Sequence, residues 1–96
     1  MTMEGEAKML YKHKLLLDTL DKLEQGKYAG LDAHWCCKTI DWLWKWRKIT
    51  EDELNSLCYR VIALVSGKEA ADDFARELGK APEVLSPQHK EYEVAV

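Results

Sequence analysis

The chain has no apolar run near the roughly 18 residues that a membrane-crossing helix needs. Its first residues, Met-Thr-Met-Glu-Gly-Glu, are acidic where a secretory leader is basic. Both absences predict a cytoplasmic protein with no membrane partner. Cysteine is scarce and odd in number, and Cys36, Cys37 and Cys58 show none of the spacings of a disulfide scaffold or a zinc site. Free thiols in a reducing compartment are expected. Gly-rich phosphate loops, nucleophile elbows and dinucleotide fingerprints are missing as well. The sequence therefore reads as a non-enzyme that uses no cofactor and no metal. Proline occurs only at positions 82 and 87, and neither a repeat nor a low-complexity tract is present.

What remains is an ordinary globular composition: 47% hydrophobic and 32% charged residues are too apolar for disorder and too charged for a membrane protein. Ninety-six residues predict one domain with a modest core, which oligomerisation would help to stabilise. The net charge of −3 conceals a split. Residues 1–50 carry nine Lys/Arg against seven Asp/Glu, a balance of +2, and residues 51–96 carry five against ten, a balance of −5. Such a split can steer a partner or self-association.

The apolar spacing predicts an all-α bundle of three main helices plus a short fourth, over residues 1–79, followed by a mobile tail over residues 80–96. Met9, Leu16, Leu20 and Leu23 recur at helical spacing with Leu10 and Leu17 beside them, which predicts a first helix over residues 6–25 that Gly26 ends. Gly26 and Gly30 then supply a turn. Asp32 is placed to cap a second helix that runs without a breaker to about residue 48, its last turn made cationic by Lys45, Arg47 and Lys48. Thr50 and Glu53 form a capping box for a third helix, with Leu54, Leu57, Cys58, Val61, Ile62, Leu64 and Val65 on one side and Gly67 as its stop. A fourth helix over residues 68–78 is expected to bury Ala71, Phe74, Ala75 and Leu78 before Gly79 and Pro82 end it.

The second helix, expected to be central, is unusual in its aromatic content. At about 100° per residue, Ala33, Cys36, Cys37, Ile40, Leu43 and Trp44 cluster on one side as a core stripe. Trp35, Thr39, Trp42 and Trp46 cluster on another, so the apolar arc spans roughly 220° against the roughly 100° of an ordinary surface helix. Three packed tryptophans represent roughly 450–750 Å², whereas a monomer's largest exposed apolar patch is usually about 300–600 Å². Either neighbouring helices of the same molecule or another chain must cover them. On the first helix, Tyr11 and Leu15 project away from the core stripe and would extend such a surface.

Other constellations read as structure. His13 lies in the apolar stripe of the first helix as a core imidazole held by one hydrogen bond. His34 and Cys37 share a helical face that Cys58 could approach, but a fourth metal donor is lacking. Asp18 and Asp21, beside Lys14 and Lys22, read as solvated helix surface. The short link around residues 47–50 has the length of a helix-turn-helix connection, yet the would-be reading helix opens with Glu51, Asp52 and Glu53, which opposes a phosphate backbone. Tyr92, Val94 and Val96 alternate with polar neighbours and read as a frayed end, or as a strand offered to a partner's sheet.

The function expected is a small protein-interaction module, acting as a homodimer, adaptor or inhibitor. Its partner is another protein or a second copy of itself, with nucleic acid disfavoured. Trp35, Trp42 and Trp46 are the expected anchors with Thr39 between them, Tyr11 and Leu15 flank them, and Lys45 and Arg47 form a cationic rim. The alternatives are a helix-turn-helix-like nucleic-acid-associated regulator and an acidic inhibitor of a nucleic-acid-processing enzyme.

Overall fold

Glycine and capping residues mark several of the helix boundaries that the sequence leads one to expect. A computed structural model describes residues 10–85, all of it helices and connecting turns with no strand among the described residues. Among the described residues five helices follow in order: α1 (Tyr11–Glu24), α2 (Ala33–Lys45), α3 (Glu51–Ser66), α4 (Lys68–Glu77) and α5 (Pro82–Leu85). They fall into two compact units, the first ending at Thr50 and the second beginning at Glu51.

In the first unit α1 packs on α2. Leu16 and Leu20 are fully buried from α1, together with His13 and Thr19. From α2 the buried set is Cys36, Thr39, Ile40 and Leu43, the i, i+3, i+4, i+7 spacing of a single helical stripe. The predicted start of α1 at residue 6 and the core position of Met9 lie outside the described residues. Within them, Leu10 is extended, has no capping side chain and is exposed, so the helix opens at Tyr11. Asp32 caps α2 as expected: Trp35 N–H donates to Asp32 Oδ1 at 2.9 Å. The helix ends at Lys45, three residues before the predicted end. Arg47 turns into the left-handed region at φ 58°, and the Leu43 and Trp44 carbonyls are taken by the Lys48 and Arg47 amides.

The second unit is built on α3, α4 and α5. Its core joins Tyr59 to Ala71, Ala75 and Leu85, with Ile62, Ala63 and Phe74 packed against them. The stripe of α3 that meets α4 is thus Tyr59, Ile62 and Ala63, at i, i+3 and i+4. Leu57 and Val61 are buried as predicted, whereas Val65 is exposed near the helix end. Leu78, predicted to be core, follows the last residue of α4 as its C-cap and is exposed.

Tyr59 can be buried because its hydroxyl donates to Asp72 Oδ1 at 2.7 Å. Lys68 Nζ reaches both oxygens of the same carboxylate at 3.2 Å. The Tyr59 hydroxyl and, after it, the Lys68 ammonium hold the Asp72 carboxyl below its ordinary value, against desolvation that pushes it up. Asp72 in turn raises Lys68. Helical structure continues beyond residue 79, where a tail was predicted. Residues 82–85 form α5, Leu85 is buried, and Ser56 Oγ donates to its carbonyl at 3.3 Å. The rest of the predicted tail, with the Tyr92, Val94 and Val96 alternation, lies outside the described residues.

Candidate functional site

The buried stripe of α2 is centred on Cys36 and Leu43, so at about 100° per residue its tryptophans lie on the two shoulders of that stripe. Trp35, Trp42 and Trp46 occupy one shoulder and Trp44 the other. Their environments differ accordingly: Trp35 is half-buried, while Trp42, Trp44 and Trp46 are 36%, 44% and 58% exposed. Trp44 and Cys37, expected in the core, are exposed, because the stripe narrows to four positions. Thr39, expected among the anchors, is 4% exposed and belongs to the interior.

Trp42 and Trp46, one turn apart, hold their rings 6.2 Å between centroids at a 41° tilt, within the distance at which aromatic rings attract one another. Lys12 of α1 sets its ammonium 4.5 Å from the Trp42 ring centroid, within cation–π range. This contact carries the aromatic surface across to α1. Leu15, half-buried, follows Lys12 by three residues on the same side of that helix, and Tyr11, 76% exposed, precedes Leu15 by one turn. Lys45 and Arg47 are exposed at the end of α2, beside Trp46. Lys12, which sequence reasoning did not single out, is the residue of α1 that meets the Trp42 ring. The signal that could have found it is its i, i+3 relation to Leu15 opposite a tryptophan-bearing helix.

Two hollows adjoin α2. One, of about 480 Å³, lies at its amino-terminal end between Leu23, Trp35 and the turn that carries Tyr28 and Leu31. The other, of about 260 Å³, lies at its carboxyl-terminal end and is lined by Trp44, Lys45, Arg47 and Ile49. Neither encloses a nucleophile beside a base. His34 and Cys37 are both exposed, Cys36 is buried, Cys58 is half-buried, and none of the three cysteines is in a disulfide. Among the described residues no group of three or more His, Cys, Asp or Glu is placed to hold a metal ion, and no helix is long and apolar enough to cross a membrane.

No protein-family model, curated protein or solved structure matches this chain, so the reading of the site rests on its own residues.

Proposed function

We propose that the chain is a protein-interaction module that docks another protein chain on the face formed by Trp42 and Trp46 of α2 with Tyr11 and Leu15 of α1. The observation that carries this reading is the pair of partly exposed indoles, Trp42 and Trp46, 6.2 Å apart on α2, with Lys12 of α1 set against the Trp42 ring. From their exposures and the area an aromatic side chain buries, Tyr11, Trp42 and Trp46 present on the order of 400 Å² of aromatic surface. That is about half of one partner's share of a standard interface, roughly 800 Å². It is the right size for an apolar centre that a polar rim completes. Lys12, Lys45 and Arg47 supply that rim and favour an acidic counterpart. Tryptophan and tyrosine are also the residues whose truncation costs most at interfaces.

A second copy is the first partner to test, since the acidic half of one chain complements the basic half of another. Light scattering from micromolar to millimolar concentration should show an apparent mass rising toward twice that of the chain. Trp46→Ala, which removes an exposed ring and leaves the buried stripe intact, should remain monomeric. A wild-type chain that stays monomeric throughout excludes the second copy. A Trp46→Ala chain that still doubles removes this face from the contact.

A further inference from the structure

Three helices of this chain end in the same hydrogen-bonded turn, and one of them does so with the wrong residue for the backbone. At the end of α1, Gly26 sits at φ 75°, with its amide on the Leu23 carbonyl at 3.0 Å and the Lys27 amide on the Lys22 carbonyl at 2.8 Å. At the end of α4, Gly79 sits at φ 78°, with its amide on the Arg76 carbonyl at 2.9 Å and that of Lys80 on the Ala75 carbonyl at 3.0 Å. At the end of α2 the pattern repeats with Arg47 at φ 58°: its amide reaches the Trp44 carbonyl at 3.0 Å and that of Lys48 reaches the Leu43 carbonyl at 2.8 Å. Arg47 is the only non-glycine residue with positive φ among the described residues. Glycine adopts this conformation without the Cβ clash that an arginine meets. The turn therefore does not explain the arginine, and such strain tends to persist where the side chain has other work.

Arg47 lines the hollow of about 260 Å³ together with Trp44, Lys45 and Ile49. Among the described residues the walls of this hollow hold two cations, an indole and a branched aliphatic chain, and no carboxylate. Neither Lys45 nor Arg47 makes an ion pair among the described residues. The carboxyl-terminal end of a helix is a negative pole, so a single cation there would be largely taken up by the helix itself. Two cations leave positive charge over for a ligand. The volume is below the roughly 300–1,000 Å³ of ordinary small-molecule sites and suits one or two side chains.

We propose that this hollow is a recognition site for an acidic peptide segment, in which a carboxylate lies beside an apolar side chain. Arg47, through its planar fork, and Lys45 take the carboxylate, and Trp44 and Ile49 take the apolar neighbour. A nucleic-acid strand fits less well, because it needs a track of cations along successive phosphates. The hollow offers two, in a chain of net charge −3. The site lies on the Trp44 shoulder of α2 and shares Lys45 and Arg47 with the rim of the Trp42–Trp46 face, so Trp46→Ala, which alters that face and not the hollow, tells the two apart.

The test is an NMR titration of the full chain with a blocked Glu-Leu-Glu-Glu-Leu pentapeptide, read at the four indole N–H signals and assigned with Trp44→Phe. The Trp44 signal should shift saturably. Arg47→Gly should weaken binding about tenfold or more, as expected for loss of a charged pair, while its thermal midpoint rises. Arg47→Lys should weaken it less, and Trp46→Ala should bind as wild type does. Four results would each overturn the proposal: no saturable shift at millimolar peptide, equal binding of the Gln-Leu-Gln-Gln-Leu analogue, unchanged affinity in Arg47→Gly, or tighter binding of inorganic phosphate or a deoxythymidine decamer than of the peptide.

Discussion

Replacing Arg47 by glycine should make the protein more stable. A side chain in the left-handed region costs roughly 1–2 kcal/mol, and glycine returns about 0.4–1 kcal/mol of that through the greater freedom of the unfolded chain. The net gain is about 0.5–1 kcal/mol, which for a domain of this size corresponds to a midpoint rise of about 2–8 °C. The four tryptophans, at 35, 42, 44 and 46, all precede Thr50, so indole fluorescence during heating or urea titration reads the unit that holds the substitution. The converse change supplies the control. Around Gly26 nothing lies within 4 Å of the point where a Cβ would stand, so Gly26→Arg meets only the backbone penalty and should lower the midpoint by a similar amount. A fall in midpoint for Arg47→Gly would show that the Arg47 side chain is held by stabilising contacts, and no effect of Gly26→Arg would show that the turn carries no penalty; either result makes the conformation of Arg47 no sign of function.

Two further expectations concern the elements that hold the units together. Asp32→Ala removes the side-chain acceptor for the Trp35 amide and should cost about 1 kcal/mol, seen as a lower urea midpoint by indole fluorescence. In the second unit the Asp72 carboxyl lies below its ordinary value of 3.8, so the stability it contributes is fully present above that pH and is lost as pH falls through the folded value. Tyr59→Phe removes the largest cause of the shift. It should lower stability at neutral pH and flatten the acid limb of a circular-dichroism pH series, whereas an unchanged acid limb would detach Asp72 from that pairing.

The helices are legible in the sequence because their ends are written in single residues. Asp32 and Thr50 mark two beginnings, and Gly26, Gly67 and Gly79 mark three ends. The end of α2 is not legible, since it is made by an arginine in a glycine conformation, and nothing in the residue type announces that. The start of α1 escapes for a related reason: no capping side chain precedes Tyr11, and periodicity alone does not fix a boundary. Around α2 the sequence supplies the angular order of the tryptophans but not the centre of the buried stripe. A turn of some tens of degrees puts Thr39 inside and brings Trp44 and Cys37 out. Tyr59 does not announce itself as a core residue, because the partner that makes its burial tolerable, Asp72, lies 13 residues away on another helix. Pairings of that kind follow from packing and leave no local pattern.

A docking role for α2 requires that the indoles of Trp42 and Trp46 be open to solvent in the single chain and covered by another. Acrylamide quenching of tryptophan emission, followed across a dilution series of the wild-type protein, tests this most directly. Strong quenching is expected in dilute solution, with protection that grows with concentration or on addition of a partner. Indoles equally protected at every dilution, in a chain that remains monomeric, would contradict it.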